Sequence, residues 1–193
     1  MVVKQCKRTD VDCTTPVDTQ TTDSMGKATF AAVPVGAKGF EDYFELNEAS
    51  YQPTLGFDIA SSALQATPGA SFGLLMISKQ TWTLLTGVVG ATPDPARGHV
   101  AFLAETCKGN RASGVAVTAD AADAMSTLAY IVGALPSKTA TETDASGVGA
   151  FVNVVPGPVT LGGKLVSSGA TIGTNSVFTR AGYVTLTNVI PTP

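Results

Sequence analysis

The sequence predicts an all-β protein, on three observations. Charged residues make up only 14% of the 193, against ~25% in an ordinary soluble domain. Thr, Ser, Gly and Ala take their places, so the long charged helix formers are scarce. Short apolar or alternating runs recur, separated by turn residues every ~8–12 positions, which is the spacing of a β-sandwich. One turn also occurs twice: Thr22-Asp23-Ser24-Met25-Gly26 before Ala28 and Phe30, and Thr143-Asp144-Ala145-Ser146-Gly147 before residues 148–151. Asp23 and Asp144, Gly26 and Gly147, and Phe30 and Phe151 share one offset of 121 residues. Two copies imply a duplicated fold, not a solenoid.

Residues 2–17 read as an extended piece followed by a polar turn at Asp10, Asp12, Thr14, Thr15 and Pro16. In the first repeat turn Gly26 takes the position that tolerates positive φ. Residues 27–32 then alternate with a period of two, and Pro34 stops the strand. Residues 40–46 and 51–57 are further strands, 61–70 a loop, and 71–77 a buried strand. Ser78 is a candidate N-cap for a short helix near 79–87, with Trp82, Leu85 and Val89 on one face and Gly87 or Gly90 ending it. Residues 91–98, with Pro93 and Pro95, read as a stiff linker between a first domain, 1–90, and a second, 99–193. Strands are expected in the second at 99–104, 114–118, 127–134, 148–155, 159–166, 176–180 and 183–189. A rising strand follows Pro136, and 167–175 is a Gly/Ser/Thr-rich connection.

Twelve Lys/Arg against fifteen Asp/Glu give a net charge of −3, with no basic cluster beyond Lys4, Lys7 and Arg8. A nucleic-acid footprint is therefore not expected. No apolar run approaches the ~18 residues of a membrane span. The start of the chain lacks the layout of a signal peptide, so Met1 begins a cytosolic protein, a mature fragment or an expressed piece. Cys6 and Cys13 lie seven apart, and a disulfide between them in an oxidising compartment is expected, against the alternative of two buried thiols. Cys107 is left over as a free thiol. One His and no Cys-x-x-Cys pair leave no zinc site.

The second repeat, Thr143 to Phe151 with Val155-Pro156-Gly157, preceded by Ala112-Ser113-Gly114-Val115-Ala116-Val117, resembles the carboxypeptidase regulatory-like, or transthyretin-like, family. The resemblance covers about residues 98–191 well and 1–58 in part. It implies two tandem Ig-like/prealbumin-like β-sandwiches with one short helix near the linker. It also implies accessory, adhesive or structural modules of secreted and envelope proteins that are not enzymes on their own. Aligned by the repeat, Val2-Val3-Lys4 falls on Val115-Ala116-Val117, so the first copy lacks the strand that residues 99–104 supply in the second. Such a gap exposes unpaired backbone. The chain is a truncated piece, or residues 71–77 fill the gap, or a neighbouring molecule donates a strand.

Chemistry-bearing candidates each have a plainer structural explanation. Gly69-Ala70-Ser71-Phe72-Gly73 matches Gly-x-Ser-x-Gly, with Asp94 and His99 in the chain order of a hydrolase triad. A nucleophile elbow needs a strand before it and a helix after it, and here a loop precedes and a strand follows. His99 reads as a packing residue. Asp10/Asp12 and Asp120/Asp123 lack the order of a calcium loop and read as turn aspartates. Asp23 and Asp144 read as turn residues accepting backbone N–H bonds. Tyr43, Tyr51 and Trp82 could form a sugar platform but share no compact motif; core packing is the simpler role. The function expected is a non-enzymatic structural or adhesive module of an extracellular or cell-envelope protein, self-assembling through an open sheet edge as a filament or surface subunit. The alternative is a carbohydrate- or peptide-binding accessory module. No cofactor, metal or nucleic acid is expected; the partners are other protein chains or a second copy.

Overall fold

In a computed structural model, residues 1–31, 33–36, 39–57 and 71–190 are described. The strands are β1 (Val2–Lys7), β2 (Asp18–Thr21), β3 (Val35–Gly36), β4 (Gly39–Phe40), β5 (Asp42–Asn47), β6 (Thr54–Gly56), β7 (Gly98–Ala104), β8 (Val115–Ala119), β9 (Thr127–Val132), β10 (Leu135–Ser137), β11 (Val148–Val154), β12 (Gly157–Leu165), β13 (Thr171–Thr179) and β14 (Val184–Val189). Among the described residues one helix, α1 (Lys79–Val88), interrupts them.

The strands do not build two tandem sandwiches. Nine form one mixed sheet in the order β10-β9-β11-β7-β14-β6-β5-β1-β2, and β13-β12-β8 form a second, smaller sheet. The join is β14, which runs parallel to β7 on one side and to β6 on the other. The first half's β6 is thus paired with β14, and β1, ahead of which the repeat alignment left a gap, lies between β2 and β5. The repeat is nonetheless visible in part. The antiparallel set β1-β5-β6 follows the same order as β8-β12-β13. The sequence could show the duplicated set, but not that β14 would join β6 of the first half to β7 of the second.

Alternation along the strands sends side chains to opposite faces of the large sheet. Val100, Phe102, Tyr130, Val154, Tyr43 and Leu55 face the small sheet's Val115, Val117, Val159, Leu161 and Phe178. On the opposite face Trp82 of α1 and Val89 at its C-cap cover Ala129, Val152 and Val184. Beyond them Val3, Phe40, Phe44 and Leu46 are covered by Phe30, Val33, Phe72, Leu74 and Met76. Residues 27–31 and 71–77, both expected as strands, are not in the sheets. Their alternate apolar side chains instead lie on this third cluster, so a period of two marks one-sided contact and not pairing. Residue 32 lies outside the described residues.

Ser78 caps α1, its hydroxyl accepting from Thr81 N at 3.1 Å, and Gly90 at φ 69° turns the chain out of the helix. In β2, Asp18-Thr19-Gln20-Thr21 carries no apolar residue, so no hydrophobic pattern announces it.

Candidate functional site

The densest polar network surrounds Asn153. The β11–β7 register slips between Phe151 and Val154, so Val152 and Asn153 together oppose His99. Asn153 takes φ 64°, a left-handed conformation that asparagine accepts better than most residues. Turned this way, its N–H donates to His99 Nδ1 at 3.1 Å. Its side chain accepts from Asp94 N at 2.8 Å and donates to Thr92 O at 2.9 Å. Its carbonyl accepts from Arg97 Nε at 2.7 Å and Ser126 Oγ at 2.8 Å. Arg97 also pairs with Asp123 at 2.7 Å, which holds that carboxyl below its ordinary range. The prolines of 91–98 thus flank a segment fastened to β11.

His99 is 2% exposed and packs on the Trp82 ring at 5.0 Å. Because Nδ1 accepts a hydrogen bond, the ring is neutral with its proton on Nε2. A general base needs a nitrogen in reach of substrate; this one is occupied by the backbone. Of the hydrolase-like motif, Gly69 and Ala70 lie outside the described residues, and Ser71 is exposed in an irregular stretch.

A second cluster sits between β5, β14 and the loop after β1. Glu45, 6% exposed, pairs with Arg180 and with Lys4 at 3.5 Å. Arg180 stacks on the Tyr183 ring at 4.2 Å and donates to Asp12 O at 3.4 Å. The Tyr43 hydroxyl donates to Asp10 O at 2.7 Å, and burial pushes its phenol far up. The Asp10 carboxylate accepts from the N–H and hydroxyl groups of Thr14 and Thr15. Its lone pairs are thus spent on donors of its own loop, led by Thr15 N–H, which lowers its pKa.

This loop is closed by a Cys6–Cys13 disulfide, while Cys107 is free and exposed. Both half-cystines are buried in the main core. Replacing both with alanine is expected to cost about 2.5 kcal/mol from the loop-closure term, and to lower the melting temperature by roughly 5–10 °C. Calorimetry of the double variant measures it.

The repeated turns are alike in shape and unlike in surroundings. Asp23 Oδ1 accepts from Met25 N and Lys27 N, both at 2.9 Å. Asp144 Oδ1 accepts from Ser146 Oγ at 2.6 Å and Ser146 N at 2.8 Å, and its Oδ2 accepts from Gly133 N at 3.0 Å in the β9–β10 turn. These donors lower both carboxyls, chiefly Lys27 N–H for Asp23 and the Ser146 hydroxyl for Asp144. Thr143 is buried, donates to Ala112 O and accepts from Val115 N; Thr22 accepts from the Met1 ammonium.

The aromatic candidates do not form a platform. Tyr43 and Trp82 are buried in different clusters, and only Tyr51 is exposed. An open groove of about 820 Å³ runs past Gln5, Lys7, Arg8, Val17, Pro34 and Asp42, and no aromatic ring among the described residues lines it. At its base Gln5 Nε2 donates to Asp42 Oδ2 at 2.8 Å.

The outer edges of the two larger sheets are guarded. The Thr22 N–H bond to Met1 O makes that pair hydrogen-bonded, so the backbone of Thr19 faces outward from β2, and Asp18 Oδ1 accepts its N–H at 2.7 Å. On β8, Val115 N donates to Thr143 Oγ1 and Val117 N to Tyr130 Oη. On β13, Ser176 O accepts from Arg8 and Phe178 O from Thr185 Oγ1. The β9–β10 hairpin turns through Gly133 and Ala134, both with positive φ. Its flanking pair is hydrogen-bonded, which turns Pro136, with no N–H, to the outside.

No protein-family model matches this chain, and no curated protein matches it significantly.

Proposed function

We propose that this chain is a non-enzymatic structural module of a secreted or cell-envelope protein, acting as a compact spacer. The observation that carries this reading is the use made of its chemistry-bearing side chains. His99, Asn153, Arg97, Asp123, Glu45 and Arg180 each tie one chain segment to another, and the Asp10 carboxylate is spent within its own loop. The Cys6–Cys13 disulfide supports an oxidising compartment. The guards on the sheet edges favour a spacer over a subunit that polymerises by strand addition.

Protein recovered from its native source should sediment as a monomer across a wide concentration range. Alkylation and mass spectrometry should find Cys6 and Cys13 oxidised and Cys107 free. Reduced cysteines in a cytosolic fraction, or concentration-dependent polymers, overturn the reading. Saturable capture on a glycan or peptide array, lost on substitution of Asp42 in the groove, would instead favour a binding module.

A further inference from the structure

We infer that the His99–Asn153 contact is an acid-released latch holding the segment 92–97 and helix α1 against the large sheet. The latch depends on one acceptor. Asn153 is fixed with φ 64° and presents its N–H to His99 Nδ1. A proton on Nδ1 turns that acceptor into a donor, and two donors then face each other in a buried site.

Three elements depend on the Asn153 conformation or on the imidazole. The segment 92–97 hangs on the Asn153 amide and carbonyl. Ser126 holds the same carbonyl. Trp82 of α1 lies on the imidazole as well as on Ala129, Val152 and Val184, and its Nε1 is buried without a hydrogen-bond partner among the described residues, so no polar bond holds it when the imidazole moves.

The groups facing His99 come from each neighbouring element. Asp94, from the held segment, favours the protonated ring; beyond Asn153 stand Arg97 and Asp123 as a pair. Trp82 comes from α1, Thr179 donates to His99 O at 3.3 Å, and Tyr183 O accepts from His99 N. Burial outweighs Asp94 and moves the imidazole from 6.5 down to about 4. The unfolded or released ring therefore binds a proton more readily than the latched one. The latch is complete above about pH 6.5 and is lost as the pH falls towards about 4.

The chain has a single tryptophan, so Trp82 reports the latch directly. On acidification of the whole chain its fluorescence is expected to change in one step below about pH 6, together with faster amide exchange across residues 79–97. In His99→Asn, whose Oδ1 takes the place of Nδ1 as acceptor for Asn153 N–H but takes up no proton, that step should vanish. The native spectrum at pH 7 should remain. An identical step in His99→Asn assigns the change to carboxylates and overturns the latch, as does a wild-type chain silent until global unfolding. Should the variant fail to fold, proton NMR of the one imidazole in the wild type decides. Titration well below the ordinary value, moving with the residue 79–97 amides, supports the latch; titration at about 6.5 contradicts it.

Discussion

Replacing Gly147 with alanine is expected to lower the melting temperature by roughly 8–15 °C, and the same change at Gly26 by only about 2–8 °C. Both glycines hold the last position of the repeated turn at positive φ, 68° and 80°. A side chain there costs about 1–2 kcal/mol for the left-handed conformation alone. The difference lies in what surrounds them. A Cβ on Gly147 would come 2.6 Å from Ala104 O and 3.3 Å from Ala112 N, while one on Gly26 meets nothing within 4 Å. Ala104 O cannot move aside freely. It accepts from Ala112 N at 2.9 Å, and Ala104 N donates back to Gly147 O at 2.8 Å. Overpacking of this kind adds about 1–3 kcal/mol. Differential scanning calorimetry of the two variants side by side measures the contrast. Equal losses would mean that the Gly147 turn is not packed against the end of β7.

Arg180→Met is expected to cost about 3–5 kcal/mol, because it strands a buried carboxylate. Glu45 and Arg180 have side chains only 7% and 14% exposed. Lys4, at 37%, is too well solvated to replace the guanidinium. Pairing Arg180→Met with Glu45→Leu should recover most of the loss, since replacing a whole buried ion pair with apolar groups is often neutral. A double-mutant cycle by urea unfolding checks this. Additive losses would show that the two side chains act independently. The cluster belongs to the fastening scheme, in which β5 is held to the Arg180 end of the chain across 135 residues of sequence.

The second half was the more legible in sequence. The strands expected at 99–104, 148–155, 159–166 and 183–189 coincide within a residue or two with β7, β11, β12 and β14, because those strands alternate or run apolar over core-length spans. The helix was legible from Ser78 and the spacing of Trp82, Leu85 and Val89. The first half misled for a physical reason. Segment 27–31 alternates and segment 71–77 runs apolar over a strand's length, but both cover a sheet face without pairing in it. The parallel pairing of β14 with β6 joins residues 130 apart, as Thr54 and Val184 show, and no local pattern encodes such a contact.

For the site, the type of residue was visible and its role was not. His99 drew notice as the lone histidine, yet Asn153, which organises that network, carries no motif and was missed. Its signal was slight: an asparagine inside an otherwise apolar strand, where left-handed backbone and a bulge become affordable. Arg180 and Glu45 were missed as well, since an ion pair between distant strands leaves no spacing to read.

The account rests on one fastened sheet running through both halves, and equilibrium unfolding with site-resolved amide exchange tests it most directly. Protection in β1 and β5 should be lost at the same denaturant concentration as protection in β7 and β11, with Trp82 fluorescence following one transition. Loss of β1 and β5 in a separate, earlier transition, while β7 and β11 stay protected, would contradict it and restore two independently folding halves.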